Sequence, residues 1–184
     1  TEEAERLAAG HDKDPRAVQV VLDETAELLR AERGVLICRT HHGFVCANAG
    51  VDASNVADGE LVLLPDDPDA SARALRLDLG ARVGVVIADS FGRAWRHGQA
   101  DVAIGVAGLQ PLEDWRGRTD SRGRELRATW IAVADQAASA ADLARRKDSR
   151  EPAVVVTGLE RFVTDDDGPG AAAIVRARDE DLFP

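Results

Sequence analysis

Cysteine is scarce: Cys38 and Cys46 are the only two in 184 residues. That excludes a disulfide scaffold and a zinc site of the usual four-ligand kind, and reads instead as buried free thiols in a reducing compartment. No apolar run reaches membrane-spanning length, and the start lacks the charged-then-apolar pattern of a signal peptide, so a cytoplasmic chain with no membrane partner is expected. Positive charge is also short. Lys and Arg number 23 against 33 Asp and Glu, a net charge of −10. Long-range steering therefore repels nucleic acid, and a phosphate-bearing partner needs a local device, either a metal ion or clustered arginines. There is no Walker A sequence, no Rossmann glycine fingerprint, no Gly-x-Ser-x-Gly elbow and no internal repeat. The four histidines, His11, His41, His42 and His97, are not spaced as a metal pair on one helix face.

What is present has the balance of an ordinary globular protein, with 45% hydrophobic and 30% charged residues. The length suits a single domain over residues 1–184. Thr1 to Gly10 is polar with a weak helical pattern. Asp14-Pro15 marks a helix start, and Val18, Val21, Leu22, Thr25, Leu28 and Leu29 continue at helical spacing toward Arg33-Gly34. Gly34 to Thr40 and Phe44 to Val51 read as a hairpin across His41-His42-Gly43. Asp67-Pro68 opens a second helix that stops near Gly80. Val83 to Ile87 and Asp101 to Val106 are strand-like, with Gly105 suited to close backbone approach. Thr129 to Lys147 is alanine-rich and helix-favouring in its distal part, and Pro152 to Thr157 reads as a buried strand. Together these elements give an α/β class.

Two clusters could carry chemistry. A strand that stops at Asp89 and turns into a glycine-containing loop places that carboxylate where ligands bind in open α/β sheets. With the Ser90 hydroxyl beside it, the pair suits Mg²⁺ or Mn²⁺, although turn or helix capping uses the same residues. Arg93 and Arg96 follow, flanking Trp95 and leading to Gly98-Gln99-Ala100-Asp101, and their planar forks suit phosphate or carboxylate oxygens as readily as ion pairs on a solvated loop. In the second cluster, Asn48, Asp52, Ser54 and Asn55 interleave with glycines, a composition that admits an ion or a nucleotide. Turn chemistry explains each of those residues singly, but their density less well.

The ordered motifs "KDPRAVQVVLDET", "HGFVCANAGVDASNV", "LLPDDPDASARALR", "DSFGRAWRHGQADVAIGVAGL", "GRELRATWIAVADQAASAADL" and "DEDLF" resemble the coenzyme F420-0:γ-glutamyl ligases, including the ligase domain of actinobacterial two-domain enzymes. The resemblance covers residues 12–183. It implies that family's own α/β fold, mixed sheets with flanking helices, and a homodimer. It also implies ligase activity in coenzyme F420 biosynthesis: L-glutamate is joined to the lactyl carboxylate of F420-0, with GTP as co-substrate and Mg²⁺ or Mn²⁺ as cofactor, through an acyl phosphate. Residue by residue, Asp52, Asp89 and Ser90 resemble metal ligands, and Asn55 and Lys147 resemble nucleotide contacts. Arg93 and Arg96 become the anion clamp of the catalytic site. Ser90 stands where the family usually has Thr, His97 where Asn is usual, Ala100 where Thr is usual, and Trp130 and Gln136 where acids are common. The family's N-terminal segment, a glycine- and lysine-containing strand region of its GTP site, is not matched before Thr1, so the chain is expected to be a fragment or a short variant with compromised nucleotide binding. Two other readings stay open: a paralogous amide ligase for another carboxylate, and a truncated, non-catalytic subunit acting by dimerisation.

If Arg93 and Arg96 grip anionic oxygens, Arg93→Lys and Arg96→Lys keep the charge but lose the bidentate fork. Steady-state kinetics should then show weaker substrate binding; unchanged constants would return both residues to a solvated loop.

Overall fold

The structure, a computed structural model, describes residues 1–181, so Leu182 and Phe183 of the closing motif lie outside the described residues. The chain divides into two compact units, residues 1–66 with 91–98, and residues 67–90 with those from 99 onward. Helices and small antiparallel sheets make up both, as expected for the α/β class.

In the first unit, Thr1 caps helix α1 (Glu2–His11) by accepting the Ala4 N–H at 3.3 Å. Asp14 caps α2 (Pro15–Asp23) through the Arg16 N–H at 2.8 Å, with Pro15 at a position where no amide bond is lost. Helix α2 then stops much earlier than its apolar spacing suggests. Thr25 Oγ1 donates to the Val21 carbonyl at 2.5 Å, and Thr25–Glu32 is strand β1. It pairs antiparallel with β2 (Val35–Thr40), which pairs with β3 (Val45–Ala47) in the expected hairpin.

The helix-like spacing in β1 has a strand explanation. Leu28 faces Cys38 and Ala31 faces Leu36, with a register shift between Leu28 and Arg30. Leu36 and Cys38 lie two apart on the buried side of β2. The extra residue in the bulged β1 therefore sets its core-facing pair three apart. Arg33 and Gly34, at φ 52° and 80°, form the tight turn between the two strands. The core of this unit joins Ala4, Leu7, Ala8, Val18 and Val21 to Leu36, Cys38 and Ala49.

In the second unit, Asp67 caps α3 (Pro68–Leu79) by accepting the Ala70 N–H at 2.8 Å, and Gly80 ends it in the left-handed conformation, both as expected. Strands β4 (Val85–Arg93) and β5 (Arg96–Ala107), whose tip residues 91–98 group with the first unit, pair across a turn at Ala94-Trp95, so the expected loop from Gly92 to Gln99 is mostly paired backbone. Residues 92–99 are exposed throughout, and no inside-outside alternation marks them as strand. Short strands β6 (Leu112–Asp114) and β7 (Trp130–Ala132) pair antiparallel, and α4 (Val133–Ala144) supplies the alanine-rich helix. Pro152–Thr157 is not the expected buried strand. It is irregular, with Val155 89% exposed, because β-type residues become a strand only where a neighbour offers a ladder. Short 3₁₀ turns follow at Glu160–Phe162, Ala171–Ala173 and Arg178–Glu180.

Ala103, Val106, Leu109, Val133, Ala134, Phe162 and Ala171 form the second core. Helix α3 is locked beside it by polar side chains. Asp69 Oδ1 accepts the N–H groups of Val106 and Ala171, each at 2.8 Å, and Arg76 donates to the carbonyls of Val83, Thr164, Asp165 and Asp166. No helix among the described residues is long and apolar enough to cross a membrane.

A Cβ on Gly105 would collide with the Pro68 carbonyl, whereas one on Gly92 meets nothing within 4 Å. Gly105→Ala should therefore cost about 1–3 kcal/mol, the scale of overpacking, and lower the melting temperature by several degrees. Gly92→Ala should leave it close to wild type.

Candidate functional site

In the second unit, β4 does not stop at Asp89 as expected but runs on to Arg93, because its backbone pairs with β5, and within it lies Ser90. Its Oγ donates to Asp101 Oδ1 at 2.6 Å, and Asp101 Oδ2 accepts from Arg145 Nη2, also at 2.6 Å. Asp101 is 1% exposed and the Arg145 side chain 27%. The Asp101 carbonyl accepts from Ser139 Oγ at 2.8 Å, which ties α4 to the same point. Asp89, next to Ser90, is half-buried in β4. On α4, Asp135 Oδ1 accepts the Ala103 N–H at 2.9 Å, and burial pushes its carboxyl above the usual range against the lowering effect of that bond.

The sequence anticipates Ser90 and Asp89 but not the Asp101–Arg145 pair. The signal was present, since an acid at the mouth of the apolar run "DVAIGVAG" is a charge about to be buried. A buried carboxylate must find partners. Nothing in the spacing, however, points to Arg145, 44 residues further along. Lys147 lies two residues beyond it, exposed in the turn after α4, beside the Arg146–Asp148 ion pair.

The remaining candidates belong to the first unit. Asp52 bonds to Val62 through paired backbone groups, at 3.0 and 2.8 Å, and its carboxylate accepts the N–H and the hydroxyl of Ser54. This Asx-type turn leaves Asp52 exposed. Asn55 is exposed at φ 58°. At the hairpin tip, Arg93 Nη2 donates to the His97 carbonyl at 2.8 Å, so one of its donors already braces the turn. Arg96 is exposed, and Trp95 is 80% exposed in the left-handed conformation.

Oxygen donors fit a hard divalent cation. Among the described residues, no group of three or more His, Cys, Asp or Glu side chains stands ready to hold a metal. The adjacent Asp89 carboxylate and Ser90 hydroxyl are compatible in donor type with Mg²⁺ or Mn²⁺ nonetheless, because such ions are held by one or two carboxylates together with substrate phosphates and water.

The chain matches the family described as F420-0:Gamma-glutamyl ligase over residues 1–158. It is 42% identical to the coenzyme F420:L-glutamate ligase of Methanocaldococcus jannaschii, an alignment covering 100% of this chain and 74% of the relative. It is 44% identical to the protein of the same name from Methanopyrus kandleri, covering 98% and 74%. The corresponding Natronomonas pharaonis protein is 45% identical, covering 97% and 69%.

The cysteines stand apart from these groups. Cys38 and Cys46 face each other across β2 and β3 as buried, reduced thiols, and burial pushes the Cys38 thiol up, away from its reactive thiolate form. A Cys38→Ala, Cys46→Ala double variant should keep its turnover and lose about 1 kcal/mol of stability per thiol removed from the core. A folded double variant with no turnover in a product assay would contradict this.

Proposed function

We propose a function from one premise: the chain belongs to the F420-0:gamma-glutamyl ligase family and is an enzyme of the ligase class. It joins the amine of L-glutamate to the lactyl carboxylate of coenzyme F420-0. The observation that carries this reading is the 42–45% identity, over 97–100% of this chain, to proteins named coenzyme F420:L-glutamate ligase.

A carboxylate does not condense with an amine unaided, because oxide is too poor a leaving group. In the proposed reaction the carboxylate oxygen takes the γ-phosphoryl group of GTP, releasing GDP. The glutamate amine then attacks the acyl carbon, loses a proton and expels inorganic phosphate as the amide bond forms. Both steps gather negative charge, so the protein's task is positioning and charge stabilisation.

Asp52, Asp89 and Ser90 supply oxygens to Mg²⁺ or Mn²⁺. The ion, when bound, offsets the phosphate charge. Asn55 and Lys147 contact the nucleotide; the exposed Lys147 continues a run of three cations with Arg145 and Arg146. Arg93 and Arg96 hold phosphate or carboxylate oxygens, a role that exposed guanidinium groups at a hairpin tip can fill. The assembly is a homodimer, and the apolar side chains of Leu143 and Val155, each 89% exposed, are of the kind a second copy would cover.

The test combines product analysis with melting curves. Given F420-0, glutamate and GTP, the protein should yield a glutamylated product; an unchanged acceptor would favour a paralogue acting on another carboxylate. Mn²⁺ at ~100 times its Kd should stabilise wild type by about 2.7 kcal/mol. Asp52→Asn and Asp89→Asn, which keep size and turn-forming ability, should lose most of that shift and lose turnover with it. A Mn²⁺ shift that survives in both variants overturns the metal assignment.

A further inference from the structure

The Asp101 carboxylate is buried, charged and outside every role assigned above. Its two oxygens are divided between two partners, the Ser90 hydroxyl and the Arg145 guanidinium, each at 2.6 Å. A serine hydroxyl has one proton and two lone pairs. Here the proton is committed to Asp101, so the lone pairs are left to point elsewhere. We infer that Asp101 is a positioning residue: held by Arg145, it fixes the rotation of the Ser90 hydroxyl so that oxygen lone pairs, and not the proton, are offered to a divalent cation. This rests on the proposed metal role of Ser90.

Three features favour this over a merely structural ion pair. At 1% exposure, Asp101 has no water to replace either partner, so the hydroxyl rotor is set by the protein alone. The bond is a charge-assisted O–H···O⁻ contact, which draws electron density toward the Ser90 oxygen and makes it a better ligand. And Arg145 holds the carboxylate from the start of the segment that carries Lys147, so one buried group sets both the Ser90 hydroxyl and the entry to a segment proposed to contact nucleotide.

The isosteric Asp101→Asn variant tests the orientation directly. Arg145 offers only donors, so it would take the amide oxygen and turn the amide NH₂ toward Ser90. Ser90 would then accept, spending a lone pair and turning its proton outward. Mn²⁺ affinity, read by the EPR signal of the free ion, should fall about 10–100-fold, the range for lost outer-sphere partners of a metal ligand. Ser90→Ala should fall comparably, and the double variant no further than Ser90→Ala alone, because Asp101 acts through that hydroxyl. Ser90→Thr, which keeps the hydroxyl, should bind like wild type.

Melting without Mn²⁺ reports the structural role separately. If Asp101→Asn lowers the melting temperature while the folded protein binds Mn²⁺ as wild type does, the inference is overturned and the metal role of Ser90 stands. Independent, multiplying losses in the double variant overturn it equally. If Ser90→Ala itself binds normally, the metal role of Ser90 and the inference fall together. Should Asp101→Asn not fold, Arg145→Gln probes the clamp from its more exposed end: weakened Mn²⁺ binding supports the inference, and wild-type binding overturns it.

Discussion

One oxygen of Asp69 accepts backbone N–H groups from Val106 and Ala171 at 2.8 Å each, and so ties α3 to β5 and to a segment 102 residues further along. Glycines make that approach possible, since a side chain at Gly170 would strike Asp69 and one at Gly105 would strike Pro68. From the same helix, Arg76 gathers carbonyls between Val83 and Asp166 and pairs with Asp167 at 2.8 Å. The core beside these contacts is largely alanine and valine in a chain only 4% aromatic. Small side chains bring backbones close but interlock weakly, so charged, directional hydrogen bonds fix which segment lies where. Asp101 repeats the device further up β5, joining β4, β5 and the end of α4.

Local chemistry made much of this fold legible. Asp14-Pro15 and Asp67-Pro68 announce helix starts because cap and first-turn requirements are met within three residues, and Gly80 announces a stop for the same reason. The failures came where a partner distant in sequence decides the outcome. Leu28 and Ala31 have helical spacing, yet the β2 ladder and a bulge claim them for a strand. Pro152–Thr157 has strand composition, but composition cannot supply a neighbour. The hairpin at Ala94-Trp95 escaped notice because its flanking residues are solvated and carry no apolar alternation.

The candidate site divides along the same line. Ser90 and Asp89 were visible because an apolar run, a carboxylate and a hydroxyl occur together in sequence, although the strand itself continues to Arg93. The partner that fixes the Ser90 hydroxyl, Asp101, is eleven positions away, and the partner that makes Asp101 tolerable is 44 beyond that. Spacing rules see the first kind of relation and are blind to the second. Burial gives the missing warrant, since a carboxylate at 1% exposure must have its partners within reach.

Charge balance gives the arrangement at Ser90 a further logic. A cation that serves a nucleotide triphosphate must keep enough positive charge to draw the phosphates in, so a site crowded with carboxylates would work against it, all the more in a chain of net charge −10. Ser90 offers an oxygen with no formal charge. Asp101 strengthens that oxygen through a hydrogen bond, while its own charge is cancelled on the far side by Arg145 at 2.6 Å. The proposed ligand thus gains donor strength from a carboxylate without adding that carboxylate's full field to the site. At the proposed metal site, a third acid in place of Ser90 would bind the ion more tightly and leave it less charge for the phosphates, which is the physical reason a hydroxyl would suit this position.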